Sequence, residues 1–116
     1  MISFEVRCVQ VSTNSAYRAG RGGYWLTPEA KLWKAVIARC GKQAMGHKPA
    51  IAGDCIVTIE YWFKSKRNDI DGSTKLVLDA LQPRVIKNDR QVRGLTMLKF
   101  WDKDNPRTRI EVAEMP

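Results

Sequence analysis

Apolar residues recur at two different spacings along the chain, and each spacing predicts one kind of element. Between Ile2 and Val11 they alternate with polar residues, which is typical of a strand with one buried face. The segment Cys55–Phe63 alternates in the same way and is rich in β-branched and aromatic residues, which predicts a second strand. Segments 92–101 and 107–115 are predicted to be two more strands, because the turn formers Asp, Asn and Pro lie between them.

Two other segments have the three- and four-residue spacing of an amphipathic helix. The first follows Thr27 and Pro28, which suit the cap and first position of a helix, and it is predicted to end at Gly46. The second begins near residues 71–73 and has apolar residues on one side only. Segment 12–24 is polar and glycine-rich, so we expect a loop whose basic groups can reach a ligand.

The predicted elements follow the order strand, helix, strand, helix, strand, strand. At 116 residues the chain has the length of one compact domain, so we expect residues 1–116 to share one core. The simplest closure of this order is an α+β fold with two helices packed on one face of a mixed four-stranded sheet.

Charge and composition narrow the classes of partner. The net charge of +8 favours a polyanion such as nucleic acid, although solubility alone is the alternative explanation. Cys8, Cys40 and Cys55 are odd in number and lack histidines at ligand spacing, so we expect buried thiols rather than disulfides or a zinc site. No apolar run could span a membrane and no signal peptide is evident, so we expect a cytoplasmic protein with no membrane partner.

The stretch KRNDIDGSTKLVLDAL, residues 66–81, contains three aspartates in a chain that is basic overall. Asp69 and Asp71 are two residues apart in an extended segment, so their carboxylates project to the same side. Asp71, Lys75 and Asp79 follow at intervals of four, which places them on one helix face. Asp89 lies in a polar segment just before the third predicted strand.

Grouped carboxylates repel one another unless a cation or a proton intervenes. Mg²⁺ prefers oxygen ligands, and two or three carboxylates with phosphate oxygens would bind it, so the pattern indicates metal-assisted chemistry on a phosphate, with Lys75 as a fixed positive group. Each residue taken singly has a structural alternative. Asp71 can cap a helix, Asp79 can pair with Lys75, and Asp89 can form a turn.

The same residues carry a likeness to a known family. The segments DIDGSTKLVLDAL and NDRQV resemble the RusA family of Holliday junction resolvases, which have Asp-x-Asp-Asn-x-x-Lys, then Asp-Ala-Leu, and a later Asp before Gln-Val. STNSAYR, followed by AGRGGYWLTPEAK, is similar to that family's Pro-Ser-x-Asn-x-x-Tyr-Arg segment and the helix start after it. Gly72 stands where the family usually has Asn, and VQVSTN replaces its Pro-Pro-Ser.

The resemblance implies that residues 1–116 form a single RusA-like endonuclease domain. Asp69, Asp71 and Asp89 then correspond to metal-binding catalytic aspartates and Lys75 to a catalytic lysine, with Mg²⁺ as cofactor and Mn²⁺ as its substitute. It further implies a homodimer that resolves four-way DNA junctions by paired symmetric nicks in recombination and repair, in a bacterial or a phage-encoded setting. The residues then expected to contact DNA are Asn14, Tyr17, Arg18, Arg21, Lys66 and Arg67.

Two other functions are compatible with the residues. The chain could be a non-catalytic basic DNA-binding domain whose aspartates are structural, and binding of divalent ions at the aspartates with a rise in thermal stability would discriminate against this. An Asp-x-Asp nucleotide-sugar transferase is a third reading, but nothing in the chain resembles a nucleotide-binding half.

Overall fold

The computed structural model describes residues 1–12, 17–20 and 23–116, with side chains for 1–12 and 26–116. A single 3₁₀ turn, Asp89–Gln91, precedes β5. The strands are β1 (Ile2–Val6), β2 (Tyr17–Gly20), β3 (Gly23–Leu26), β4 (Cys55–Phe63), β5 (Val92–Trp101) and β6 (Arg107–Glu114), and the helices are α1 (Pro28–Met45) and α2 (Thr74–Ala80).

Four of the strands form one mixed sheet in the order β1-β6-β4-β5. The pairs β1·β6 and β6·β4 are antiparallel, whereas β4 and β5 run parallel, with Cys55 opposite Val92 and Phe63 opposite Trp101. β4 is therefore an interior strand, and β5 forms one edge of the sheet. This architecture confirms the predicted α+β fold with its mixed four-stranded sheet and the predicted order of strands and helices.

Both helices pack on the same face of the sheet, where alternate side chains of β4 are completely buried. Val57, Ile59, Tyr61 and Phe63 form that buried face, as their spacing predicts. Apolar residues of α1 and α2, together with Ile110 and Val112 of β6, belong to the same core. One hydrophobic core therefore joins the sheet and the two helices.

The opposite face of the sheet carries charged and aromatic side chains. Arg109 binds Glu60 at 2.8 Å, and Arg107 binds both Glu5 at 3.1 Å and Asp102 at 2.8 Å. The hydrogen bond from Arg107 holds the pKa of Asp102 below its usual value. The Arg107 guanidinium also lies 4.3 Å from the Trp62 ring centroid. These contacts join neighbouring strands on a face that remains largely polar.

Two predicted boundaries differ from the structure. β1 ends at Val6 rather than at residue 11, because the chain then crosses the end of the sheet and the buried Gln10 amide donates to the carbonyls of Trp62 and Arg107. Part of the predicted loop 12–24 is wrong as well, since Tyr17 pairs with Leu26 in an antiparallel hairpin. The short, glycine-interrupted strands of that hairpin were too brief for a clear alternating pattern.

α1 begins and ends where its sequence predicts. The Thr27 hydroxyl accepts a hydrogen bond from the Ala30 amide at 3.3 Å, and Gly46 follows the last turn with a φ of 60° that favours glycine. The buried side of the helix consists of Ala30, Trp33, Ile37, Gly41 and Met45. A glycine is needed at position 41 because a Cβ there would lie 2.8 Å from a methyl group of Val85.

The three cysteines are free thiols, as expected, with Cys55 buried and Cys8 and Cys40 half-buried. Burial raises the pKa of both Cys8 and Cys55. Among the described residues, neither helix is long and apolar enough to cross a bilayer.

The packing around Gly41 gives a stability prediction. In Gly41→Ala the new methyl group displaces Val85 and contacts the nearby Phe4 ring. Overpacking of a core typically costs about 1–3 kcal/mol, whereas the better helix propensity of alanine restores up to about 1 kcal/mol. We expect a net loss of about 1 kcal/mol in the free energy of unfolding, measured by urea denaturation. Gly53→Ala is the control, because nothing lies within 4 Å of a Cβ there. Equal stability of the two variants would contradict the packing argument.

Candidate active site

The acidic stretch forms the connection from the end of β4 to the start of α2. We call residues 64–73 the acidic loop. Its backbone folds into successive turns, in which the amide of Asn68 donates to the carbonyl of Ser65 and that of Gly72 donates to the carbonyl of Asp69. The Thr74 amide donates to the carbonyl of Asp71 at 3.2 Å, so Asp71 is joined directly to the first turn of α2.

The end of β5 holds the acidic loop from one side. The Trp101 indole donates to the carbonyl of Lys64 at 2.9 Å, and Lys99 Nζ donates to the carbonyl of Lys66 at 3.1 Å. Lys66 Nζ in turn lies 4.6 Å from the Trp101 ring centroid, a cation–π contact. The loop backbone is thereby fixed to the edge strand β5.

A buried polar chain anchors the other end of the loop beneath α2. The Thr74 hydroxyl donates its one proton to Met97 Sδ at 3.0 Å, so Tyr61, 2.9 Å away, donates to Thr74. Burial raises the pKa of Tyr61 to about 12, and the negative charge of Asp71 acts in the same direction. Tyr61 therefore stays neutral at physiological pH and serves as a hydrogen-bond donor next to the carboxylate.

The two aspartates of the loop are exposed, and Asp69 lines a small cleft. The cleft has a volume of about 200 Å³ and is lined by Ser12, Arg67, Asn68, Asp69 and Gly72. A Cβ at Gly72 would lie 3.5 Å from the Ser12 Cβ, an ordinary contact, so the loop has room for a β-carbon at that position. Within the described part of the chain, neither the Asp69 nor the Asp71 carboxylate forms a hydrogen bond or an ion pair.

Lys75 lies on the first turn of α2 and carries its ammonium towards Asp79, 3.9 Å away. This contact confirms the predicted polar side of the helix. The buried side is also as predicted and consists of Leu76, Val77 and Ala80, with Leu81 just beyond the last turn.

Asp89 lies at the far end of α2. Its amide donates to Gln82 Oε1 at 3.2 Å, and Gln82 follows the last turn of the helix. In residues 1–12, 17–20 and 23–116, no three His, Cys, Asp or Glu side chains lie close enough together to hold a metal ion. Asp69, Asp71 and Lys75 thus lie in one short stretch at the start of α2, whereas Asp89 follows its other end.

The donor set of the loop suits a hard cation. Mg²⁺ is usually held by one or two carboxylates together with waters and phosphate oxygens, and the acidic loop exposes the carboxylates of Asp69, at the cleft, and Asp71. The loop thus offers two of the three predicted Mg²⁺ ligands, and Asp89, the third, lies beyond the other end of α2.

The predicted DNA contacts are only partly described. Lys66 and Arg67 lie exposed on the acidic loop. Asn14 and Arg21 lie outside the described residues, and Tyr17 and Arg18 are described only as backbone in β2. Sequence reasoning missed Lys99, which holds the loop, because a lysine on a strand is indistinguishable from a solvent-exposed one until the register of β5 is known.

Most of the chain matches the sequence model of one known protein family. The family model described as "Endodeoxyribonuclease RusA" matches residues 8–113, which include the acidic loop, Lys75 and Asp89. The chain belongs to the RusA family. RusA membership indicates a Holliday junction resolving endonuclease, and such a nuclease acts on junction DNA and requires a divalent metal. A search of curated proteins finds no match.

The position of Arg67 beside the carboxylates gives a binding prediction for this RusA protein. Loss of one phosphate contact should weaken junction binding and lower the slope of log affinity against log salt by about one, so Arg67→Ala should show both effects. Lys48→Ala is the matched control, because Lys48 loses the same charge at the opposite end of the sheet, near Glu114. Salt-dependent fluorescence anisotropy measures both slopes, and equal slopes for the two variants would remove Arg67 from the DNA-contacting surface.

Proposed function

We propose that this RusA protein is a magnesium-dependent homodimer that resolves four-way DNA junctions by paired symmetric nicks, in DNA recombination and repair. The observation that carries the proposal is the acidic loop, which exposes the carboxylates of Asp69 and Asp71, with Asp69 and Arg67 lining one cleft, in a chain of net charge +8. A local acidic site suits a metal, and the surrounding positive charge suits the DNA backbone.

In this proposal Asp69, Asp71 and Asp89 hold the metal, with Mn²⁺ as a substitute for Mg²⁺. The bound ion supplies activation of water and compensation of charge on the phosphate. Lys75 stabilises negative charge that develops on the phosphate, and its contact with Asp79 limits the orientations of its ammonium. The side chains proposed to bind phosphates are those of Asn14, Tyr17, Arg18, Arg21, Lys66 and Arg67.

The alternative is a non-catalytic DNA-binding domain with structural aspartates. A structural role would give these carboxylates partners within the fold, as Asp102 has in Arg107. Among the described residues Asp69 and Asp71 have no such partners, and the start of α2 is bound through the backbone carbonyl of Asp71 rather than through its side chain. This observation favours the catalytic function.

The metal role of Asp71 predicts a separation of binding from cleavage. Asp71→Asn replaces a carboxylate with a neutral amide, a poorer ligand for a hard cation, so we expect cleavage of a synthetic four-way junction to be lost. Junction affinity should be kept or increased, because a negative charge that faces phosphate is removed. Glu114→Gln, at the opposite end of the sheet, is the control and should cleave normally. Cleavage by Asp71→Asn at the wild-type rate would refute the metal assignment.

Lys75 gives a second kinetic prediction. If its ammonium stabilises the transition state, Lys75→Ala should lower the single-turnover cleavage rate at saturating enzyme by about a hundredfold or more, with little change in junction affinity. Lys42→Ala removes an equal charge from the last turn of α1 and should leave the rate unchanged. A Lys75→Ala variant that binds poorly but cleaves at the normal rate once saturated would make Lys75 a phosphate contact only.

A further inference from the structure

Trp101, the last residue of β5, is an exposed aromatic side chain. Its indole anchors the acidic loop, yet 52% of the residue remains exposed. The other tryptophans whose side chains the structure describes differ, since Trp33 is buried and Trp62 is half-buried. A tryptophan that only held a loop would be expected to lie largely out of water, because burial of its large apolar ring is favourable. The exposed ring surface of Trp101 is therefore open to a ligand.

The contacts of Trp101 fix the orientation of its ring before a ligand arrives. The indole N–H donates to the carbonyl of Lys64 at 2.9 Å. On the backbone, Trp101 lies opposite Phe63 in the parallel pairing of β5 with β4, and the Asp102 amide donates to the Phe63 carbonyl at 2.8 Å. A ring that is already held in one orientation loses little conformational entropy when a flat ligand stacks on it.

Positive charge lies directly beside this ring. Lys66 Nζ is 4.6 Å from the ring centroid, and Lys99, which holds the Lys66 carbonyl at 3.1 Å, extends from the same face of β5 as Trp101. Proteins bind unpaired nucleotides with this combination, in which an aromatic side chain stacks on a base and a nearby cation binds the phosphate backbone. The chemistry of the site therefore suits a nucleotide whose base is accessible.

The ring lies on the loop that carries the proposed metal ligands, and the inference rests on the function proposed above. Lys66 and Asp69 are three residues apart on the acidic loop, so their Cα atoms are at most about 11 Å apart. A DNA strand whose scissile phosphate lies at Asp69 and Asp71 can therefore present a neighbouring nucleotide to Trp101. We propose that Trp101 stacks on a nucleobase next to the scissile phosphate and that Lys66 binds the phosphate of the same nucleotide.

This site requires a base that has left the helical stack. In a linear duplex each base is covered above and below by its neighbours, so stacking on Trp101 first costs the free energy of unstacking. Where four strands exchange, the continuous stack of base pairs is interrupted, and this cost is smaller. Trp101 thereby favours binding of a junction over binding of a linear duplex.

Affinity for two forms of DNA tests this site without cleavage. A four-way junction and a linear duplex of the same sequence are titrated in EDTA, so that no metal-dependent step contributes. Loss of one stack between a base and an aromatic ring should weaken junction binding by Trp101→Leu about 5- to 100-fold and leave duplex binding unchanged. Trp101→Phe keeps an aromatic ring without the indole N–H, so it should bind the junction more tightly than Trp101→Leu.

Phe100→Leu is the matched control. Phe100 is 42% exposed on the same strand but stacks on Trp62 at the opposite face of the sheet, so its loss should leave both affinities unchanged. If Trp101 served only to anchor the loop, Trp101→Phe and Trp101→Leu would weaken junction and duplex binding equally, since both lack the indole N–H. That result, or an unchanged affinity of Trp101→Leu for the junction, would overturn the proposal.

Photo-cross-linking locates the contact in the wild-type protein. 5-Iodouracil is placed at the nucleotides around the point of strand exchange, where irradiation joins it to an aromatic side chain stacked on it, and mass spectrometry should find the cross-link at Trp101. A wild-type protein that binds the junction no better than the duplex would refute the proposed function. A protein that selects the junction but forms cross-links only at other residues would refute this inference alone.

Discussion

The parallel pairing of β4 with β5 is the constraint on which the candidate site depends. Parallel neighbours cannot be joined by a tight turn, so the chain must leave β4 at one end of the sheet and return to β5 at the other. The acidic loop, α2 and the 3₁₀ turn together make that crossover. Asp71 therefore lies near the beginning of the crossover and Asp89 at its end.

The crossover also explains how an exposed acidic segment keeps a defined backbone. Its first residues are held by Trp101 and Lys99 of β5, and its last residues by the buried contact between Tyr61 and Thr74. These contacts use backbone carbonyls, the indole and hydroxyl groups, and the Asp69 and Asp71 side chains remain exposed. A loop fixed by its backbone presents its charged side chains at little further cost in conformational entropy.

The sequence alone determined most of the fold. The alternation in Cys55–Phe63 and 92–101 predicted β4 and β5 at their observed bounds, and Thr27 and Gly46 predicted both ends of α1. These elements were readable because their side-chain spacing and capping chemistry are local properties. The same locality made Asp69, Asp71 and Lys75 recognisable as one group, since a short loop and one helical turn must keep them together.

Only the tertiary structure decided the properties that depend on strand pairing. The hairpin of β2 and β3 was hidden because its strands are four residues long, and the early end of β1 depends on Gln10, whose amide meets carbonyls 52 and 97 residues away along the chain. Whether Asp89 joins the other aspartates likewise depends on the direction of β5 relative to β4. The spacing of apolar side chains does not indicate that direction, because parallel and antiparallel strands show the same alternation of side chains.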